Sequence, residues 1–138
     1  MAVEAEVAKF LIGPAILMTI VLSVVEIGFV HTDEVGLHWF KHALHTIPFM
    51  FIFTFVSMNV TWALSLVGMA ETMWLDLGVR VLVGIIAMVK IGAAASITGQ
   101  GGVGEKKFHI LGIGVLIIAA PYVWDYFLAG LLGKYVPF

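Results

Sequence analysis

Five histidines and a handful of isolated charges are the residues in this chain with chemistry to offer. His38, His42 and His45 are spaced i, i+4, i+7, which stacks them on one face of a helix. Imidazole ligates transition metals and exchanges protons near neutral pH, so with His109 from a second helix the set describes a metal or haem site, or a proton-handling patch. Glu26 is placed to add a carboxylate. The competing reading is that the histidines and Trp39 of "HWFKHALH" anchor a helix at headgroup level. No HxxE, HExxH or paired cross-helix pattern sharpens the metal reading.

A second group is electrostatic. Glu26, Arg80, Lys90 and Asp125 fall in or near apolar stretches. A charge at the centre of a membrane helix costs at least about 2.5 kcal/mol, so each needs a partner or a purpose. Arg80 and Asp125 fall at similar estimated depth, with Asp76 four residues before Arg80, and Lys90 and Glu26 form the other depth-matched pair. The expectation is two interhelical ion pairs, against a functional reading of an ion or proton path.

Residues 97–107, "ITGQGGVGEKK", carry a third signal. Gly99, Gly101 and Gly104 spell the dinucleotide fingerprint G-x-G-x-x-G, and Asp125 lies about twenty residues on, where a ribose-binding carboxylate would sit. That fingerprint works only between a strand and a helix of a βαβ unit. Here an apolar helix precedes the glycines and the chain has no room for a parallel sheet. No nucleotide is expected; Gly99–Lys107 reads as a tight turn, with Lys106 and Lys107 holding it at headgroups or in water. Asn59-Val60-Thr61 spells a glycosylation sequon, but it lies mid-span.

What must position these groups follows from composition. The 138 residues are 62% hydrophobic and 12% charged, with a net charge of −2 and no cysteine. Soluble domains carry about 25% charged residues, so half that fraction points to a surface covered by lipid. The charge offers no basic field for nucleic acid, and the missing cysteine excludes thiolate sites, thiol catalysis and disulfides. The start, "MAVEAEVAKF", lacks the positive region of a secretory signal and reads as the beginning of a retained helix.

Four apolar segments approach the roughly 20 residues that span a bilayer. They run from about Phe10 to Val30, His45 to Gly68, Leu77 to Thr98 and His109 to Gly133. They are too long and too uniformly apolar for barrel strands. The fold expected is all-α: one domain over residues 1–138, a polytopic membrane protein with four transmembrane helices in two hairpins. Pro14, Pro48 and Pro121 should kink rather than end these helices. Antiparallel spans put all five histidines on one side, and Arg80, Asp125 and Lys134 on the other. Lys9, Arg80 and Lys134 balance Lys41, Lys106 and Lys107, so the positive charges give no orientation.

Thr54, Ser57, Thr61 and Ser65 form a polar stripe at helical spacing on the second segment. Gly84 and Gly92 on the third, and Gly112, Gly114, Ala119, Ala120, Gly130 and Gly133 on the fourth, let helices approach closely, within the chain or between copies.

The stretch "VGIIAMVKIGAAASITGQGGVGEKKFHILGIGVLIIAAPYVWDYF" has a glycine-punctuated helix, a Gly-rich basic loop, a second helix with Gly112 and Gly114, and a closing Ala120-Pro121. It resembles the TrbC-like conjugative pilins of type IV secretion systems, over about the last third of the chain. The resemblance implies a protomer that leaves the bilayer and polymerises with bound lipid. Gly99–Lys107 would be its lumen-facing loop, with Lys106 and Lys107 as the loop's cations.

Three functional classes follow. The leading one is a non-enzymatic structural subunit of a larger membrane assembly, one form of which is a pilin-like protomer of a DNA-transfer filament. The second is a small subunit of a membrane redox or metalloenzyme complex, using His38, His42, His45 and His109. The third is an oligomeric channel or transporter with Glu26, Lys90, Arg80 and Asp125 along its path. Expected partners are membrane lipids and copies of the chain or other membrane subunits, with nucleic acid only on the pilin reading.

Overall fold

A computed structural model describes residues 8–33, 36–69, 72–98 and 107–136. Every regular element among them is helical: α1 (Ile12–Asp33), α2 (His38–Met58), α3 (Val60–Leu66), α4 (Met73–Thr98), α5 (Lys107–Val123), a π-helical stretch (Trp124–Leu128) and α6 (Ala129–Leu132). Three helices are long and apolar enough to cross a membrane, or four if α2 and α3 together make one span.

The element boundaries have local causes. Pro14 sits in the first turn of α1, where its missing N–H would have had no intrahelical partner. α2 starts at His38, two turns before the apolar run suggested, because His42, Ala43 and Thr46 continue its buried stripe. α4 likewise begins earlier than expected, capped by Thr72, whose hydroxyl accepts the Leu75 N–H at 3.3 Å.

The largest departure from expectation is in the second segment. It is not one helix: the chain breaks at Asn59, and α3 leaves α2 at 59°. Asn59 bonds the backbone in several directions at once. Its Nδ2 donates to Phe55 O at 2.9 Å and Leu11 O at 3.2 Å, and its Oδ1 accepts the Leu11 N–H at 2.7 Å. An amide that satisfies backbone groups at the start of α1 and the end of α2 competes with the helix ladder and wins. The mid-span asparagine is a structural bracket.

α1 packs on α2 and α5, and α4 also packs on α2 and α5, so α1 and α4 take opposite corners. α4 and α5 run antiparallel in tight register: Gly84 meets Ile118, Gly114 meets Met88, and Gly92 meets Ile110. A Cβ added at Gly84 or Gly114 would collide with the facing side chain. The apolar core runs through Met18, Leu22, Met50, Ile91, Ile113 and Ile117. Large apolar side chains also cover the outside, Val24, Leu82, Val89, Val115 and Leu131 among them. That is the surface a lipid solvent requires.

Pro121 shows how α5 stays helical through a proline. Its ring removes the N–H that would have bonded Ile117 O. Ser57 supplies the replacement, its Oγ donating to Ile117 O across the bundle at 2.7 Å. The π-helical stretch follows immediately.

Candidate functional site

Polar side chains enter the bundle from both ends. At one end, which we call the histidine end, α1 contributes Glu26 and Asp33, α2 contributes His42 and Thr46, and α5 contributes His109. Asp33 Oδ2 lies 2.5 Å from His109 Nδ1, and as the carboxylate can only accept, Nδ1 carries the hydrogen. Phe29 stacks flat on the imidazole, centroids 4.4 Å apart and planes 5° from parallel. This pair joins α1 to α5 and fixes both the tautomer and the ring plane. His42 and Thr46 are fully buried, one turn apart on α2.

Glu26 is the most unusual residue in the molecule. Its side chain is wholly excluded from the surface. Thr46 stands beside it on α2. The Thr46 hydroxyl, however, donates to its own helix at Ala43 O, 3.2 Å away. Thr46 is near enough to favour the Glu26 carboxylate, but no donor meets normal hydrogen-bond geometry at either Glu26 oxygen among the described residues, and the Thr54 hydroxyl two turns further along α2 likewise has no partner among them.

The opposite end, the arginine end, is built differently. Arg80 Nε and Nη2 grip both oxygens of Asp76, at 2.7 and 2.9 Å. Nη2 also donates to Thr61 Oγ1 at 3.0 Å, and Nη1 to Ser57 O at 2.6 Å. Thr61 in turn donates to Asp76 at 2.9 Å, and the guanidinium carbon lies 5.4 Å from the Tyr122 ring centroid. The break at Asn59 interrupts the helix ladder and exposes carbonyls; Arg80 reaches over from α4 to cap one of them. Beside this clamp is an open cleft of about 400 Å³, lined by Thr61, Met73, Asp76, Arg80, Tyr122, Asp125 and Tyr126.

The expected pairings therefore change. Arg80 pairs with Asp76 on its own helix, not with Asp125, which is exposed in the adjoining cleft. Glu26 does not pair with Lys90. Lys90 is exposed on the outer flank of α4 among Ile86 and Val89, and α1 and α4 stand at opposite corners of the bundle. Matching depth along the membrane normal said nothing about which corner a helix takes.

The histidines do not converge either. His42 points inward, while His38 and His45 are exposed, and His45 Nδ1 bonds Lys41 O at 2.7 Å. The buried stripe of α2 passes between His42 and Ala43, and at about 100° per residue His38 and His45 fall roughly a quarter turn or more to its side. His109 is held by Asp33 and the Phe29 ring. Among the described residues, no three His, Asp or Glu side chains are grouped to hold a metal ion. The metal set of His38, His42, His45 and His109 is thus not assembled here.

Of the glycine loop, Gly99, Gly101, Gly104 and Lys106 lie outside the described residues, while Lys107 is the exposed first residue of α5. The polar stripe of the second segment is inward-facing at Thr54 and Ser57 on α2 and half-buried at Thr61 and Ser65 on α3. Sequence reasoning missed Asp33 and Asn59 altogether. Asp33 carried no motif in the sequence, and Asn59 looked like an incidental sequon; a lone amide inside an apolar run was the available signal.

Long apolar helices around an apolar core, with buried polar side chains toward both ends, define the class, a helical bundle whose helices are long and apolar enough to cross a membrane. No family model matches the chain. Neither a curated protein nor a solved structure matches it.

Proposed function

We propose that the chain is a multi-pass integral membrane protein, its four spans in two hairpins with α2 and α3 as one broken span, and that it moves a small cation through its interior. The observation that carries this reading is Glu26: a buried carboxylate, unpartnered among the described residues, on a bundle whose α2 face is polar at His42, Thr46, Thr54 and Ser57. Had Glu26 paired with Lys90, both charges would have been accounted for as structural glue. Lys90 faces outward, so that account lapses. An ionisable group inside a membrane bundle is expensive, and such groups mark ion and proton pathways. Broken spans beside charged groups, as at Asn59 and Arg80, are also a habit of transporters. The redox or metal reading loses its support with its ligand set.

The test is reconstitution. Purified protein in liposomes should dissipate an imposed cation gradient faster than empty vesicles do. A wild-type protein that is verified as inserted and carries no cation would overturn the reading.

A second reading, a structural subunit of a larger assembly with a pilin-like protomer as one form, is favoured by one specific observation. Lys90 stands on an outer apolar flank, and Gly78 and Gly130 have no neighbour within 4 Å of where a Cβ would be. A partner chain carrying a carboxylate would suit that surface. Native mass spectrometry in mild detergent separates an assembly from a monomer.

A further inference from the structure

We infer that the cation carried is the proton, and that Glu26 is the residue that takes it up and releases it. This rests on the translocation reading above and names its substrate.

The first argument is room. Hard metal cations take about six oxygen ligands. Beside Glu26 stands the Thr46 hydroxyl, which also lies 3.2 Å from Ala43 O. No grouping of three His, Asp or Glu side chains surrounds it. The clefts at the arginine end are lined by other residues. A proton needs no shell: it bonds one carboxylate oxygen, only that O–H bond forms or breaks, and no redox partner is involved.

The second argument is access. The titratable groups at the same end of the bundle as Glu26 come from each helix packed on α1. Asp33 lies two turns along α1 itself, His42 lies on α2 one turn from Thr46, and His109 lies on α5 bonded to Asp33. On α4, at the opposite corner, Lys90 faces outward. His109 is the partly exposed member, its side chain 16% accessible against none for Asp33. It therefore links the exterior to the buried Asp33 carboxylate, two turns along α1 from Glu26.

The third argument is closure. Toward the arginine end the polar row is interrupted once, where Met50 occupies the position between Thr46 and Thr54 and is fully buried, and it resumes at Thr54 and Ser57. Glu26 thus shares its end of the bundle with ionisable groups, and the buried Met50 side chain separates Thr46 from the Thr54 and Ser57 hydroxyls further along α2. That is an occluded carrier arrangement rather than an open pore, and crossing requires Met50 to move.

The experiment uses the full chain in liposomes enclosing a pH dye, with a potassium diffusion potential, negative inside, set by valinomycin. Wild-type protein should acidify the lumen, with sodium gradients making no difference. Glu26→Gln should fall to the rate of empty vesicles, while Glu26→Asp retains flux. Infrared difference spectra across a pH step supply an independent readout that does not depend on transport. A carboxyl C=O band present in the wild type should vanish in Glu26→Gln. Undiminished proton flux in Glu26→Gln, or a sodium flux indifferent to pH, would overturn this inference and leave the translocation reading standing. Absence of any cation flux from inserted wild-type protein would sink the translocation reading itself.

Discussion

The two ends of the bundle bury comparable charge and treat it in opposite ways. At the arginine end, four of the five N–H groups of Arg80 have acceptors, and Asp76 is held through both oxygens. At the histidine end, Glu26 is buried more completely than either, yet neither of its oxygens is bonded among the described residues. A cluster this nearly saturated has little left to offer a ligand; its bonds hold α2, α3 and α4 around the break at Asn59. An unsaturated group in the same kind of surroundings is a standing cost, and its presence asks for a purpose other than cohesion. The contrast separates structural charge from functional charge more sharply than depth in the membrane or residue type could.

The largest expected effect tests that separation directly. Arg80→Leu strands the buried Asp76 carboxylate and the Ser57 carbonyl, and breaking one side of a buried pair typically costs about 3–5 kcal/mol. The double variant Arg80→Leu/Asp76→Leu should recover most of that loss. Glu26→Met should do the opposite of Arg80→Leu, leaving stability unchanged or raising it, since it removes an uncompensated polar group. Reversible unfolding in mixed micelles measures all three. A large loss in Glu26→Met would show that Glu26 is also structural and erase the contrast between the ends.

A smaller contrast of the same kind runs along the glycines. Gly84 and Gly114 are spent inside the chain, against Ile118 and Met88, whereas Gly130 has open space where a side chain would go. Overpacking typically costs about 1–3 kcal/mol, so Gly84→Leu should destabilise the fold by that order or more. Gly130→Leu should leave the monomer's unfolding untouched. Should it change the particle mass in native mass spectrometry without changing unfolding, the assembly reading gains a contact point. Equal destabilisation by both variants would contradict the α4–α5 register.

Much of the architecture was legible in the sequence because an apolar composition imposes a crude and strong rule. Long apolar runs, few charges and short polar breaks point to apolar helices, and the described helices begin and end within a few residues of those runs except at His38 and Met73. Which helix faces which was not legible. The depth of Glu26 and Lys90 followed from counting residues at a fixed rise, but lateral position depends on how the four corners are occupied, and no residue count carries that. The i, i+4, i+7 spacing of the histidines did not reveal that only His42 turns inward, because the buried face of α2 is set by Ala43, Thr46 and Met50, ordinary residues whose burial outweighs that of two imidazoles. The Asp76–Arg80 pair was the one local feature in reach, an acid four residues before a base, which is a favourable helical spacing. The break at Asn59 was hidden because its bonding partner, Leu11, is 48 residues away in the chain.

The smallest expected effect comes from a contact between the two halves of this comparison. Ser57 lies on the polar face of α2, two residues before the break, and its hydroxyl fills the gap that Pro121 opens in α5. Ser57→Ala should leave Ile117 O without that bond in a buried site. Interhelical hydrogen bonds in membrane bundles average about 0.6 kcal/mol and reach about 1.7, so the loss should fall in that range. Pro121→Ala should restore an N–H four residues after Ile117 and let α5 satisfy the carbonyl itself. In the Pro121→Ala background, Ser57→Ala should then cost markedly less than it does alone. The two substitutions form a double-mutant cycle, read by unfolding in mixed micelles, and the coupling should be positive. Strict additivity would mean that the carbonyl finds another donor, and that Ser57 sits on the interior face of α2 for a reason other than the proline. Its hydroxyl would then belong with that of Thr54, as part of the polar row that leads toward Glu26.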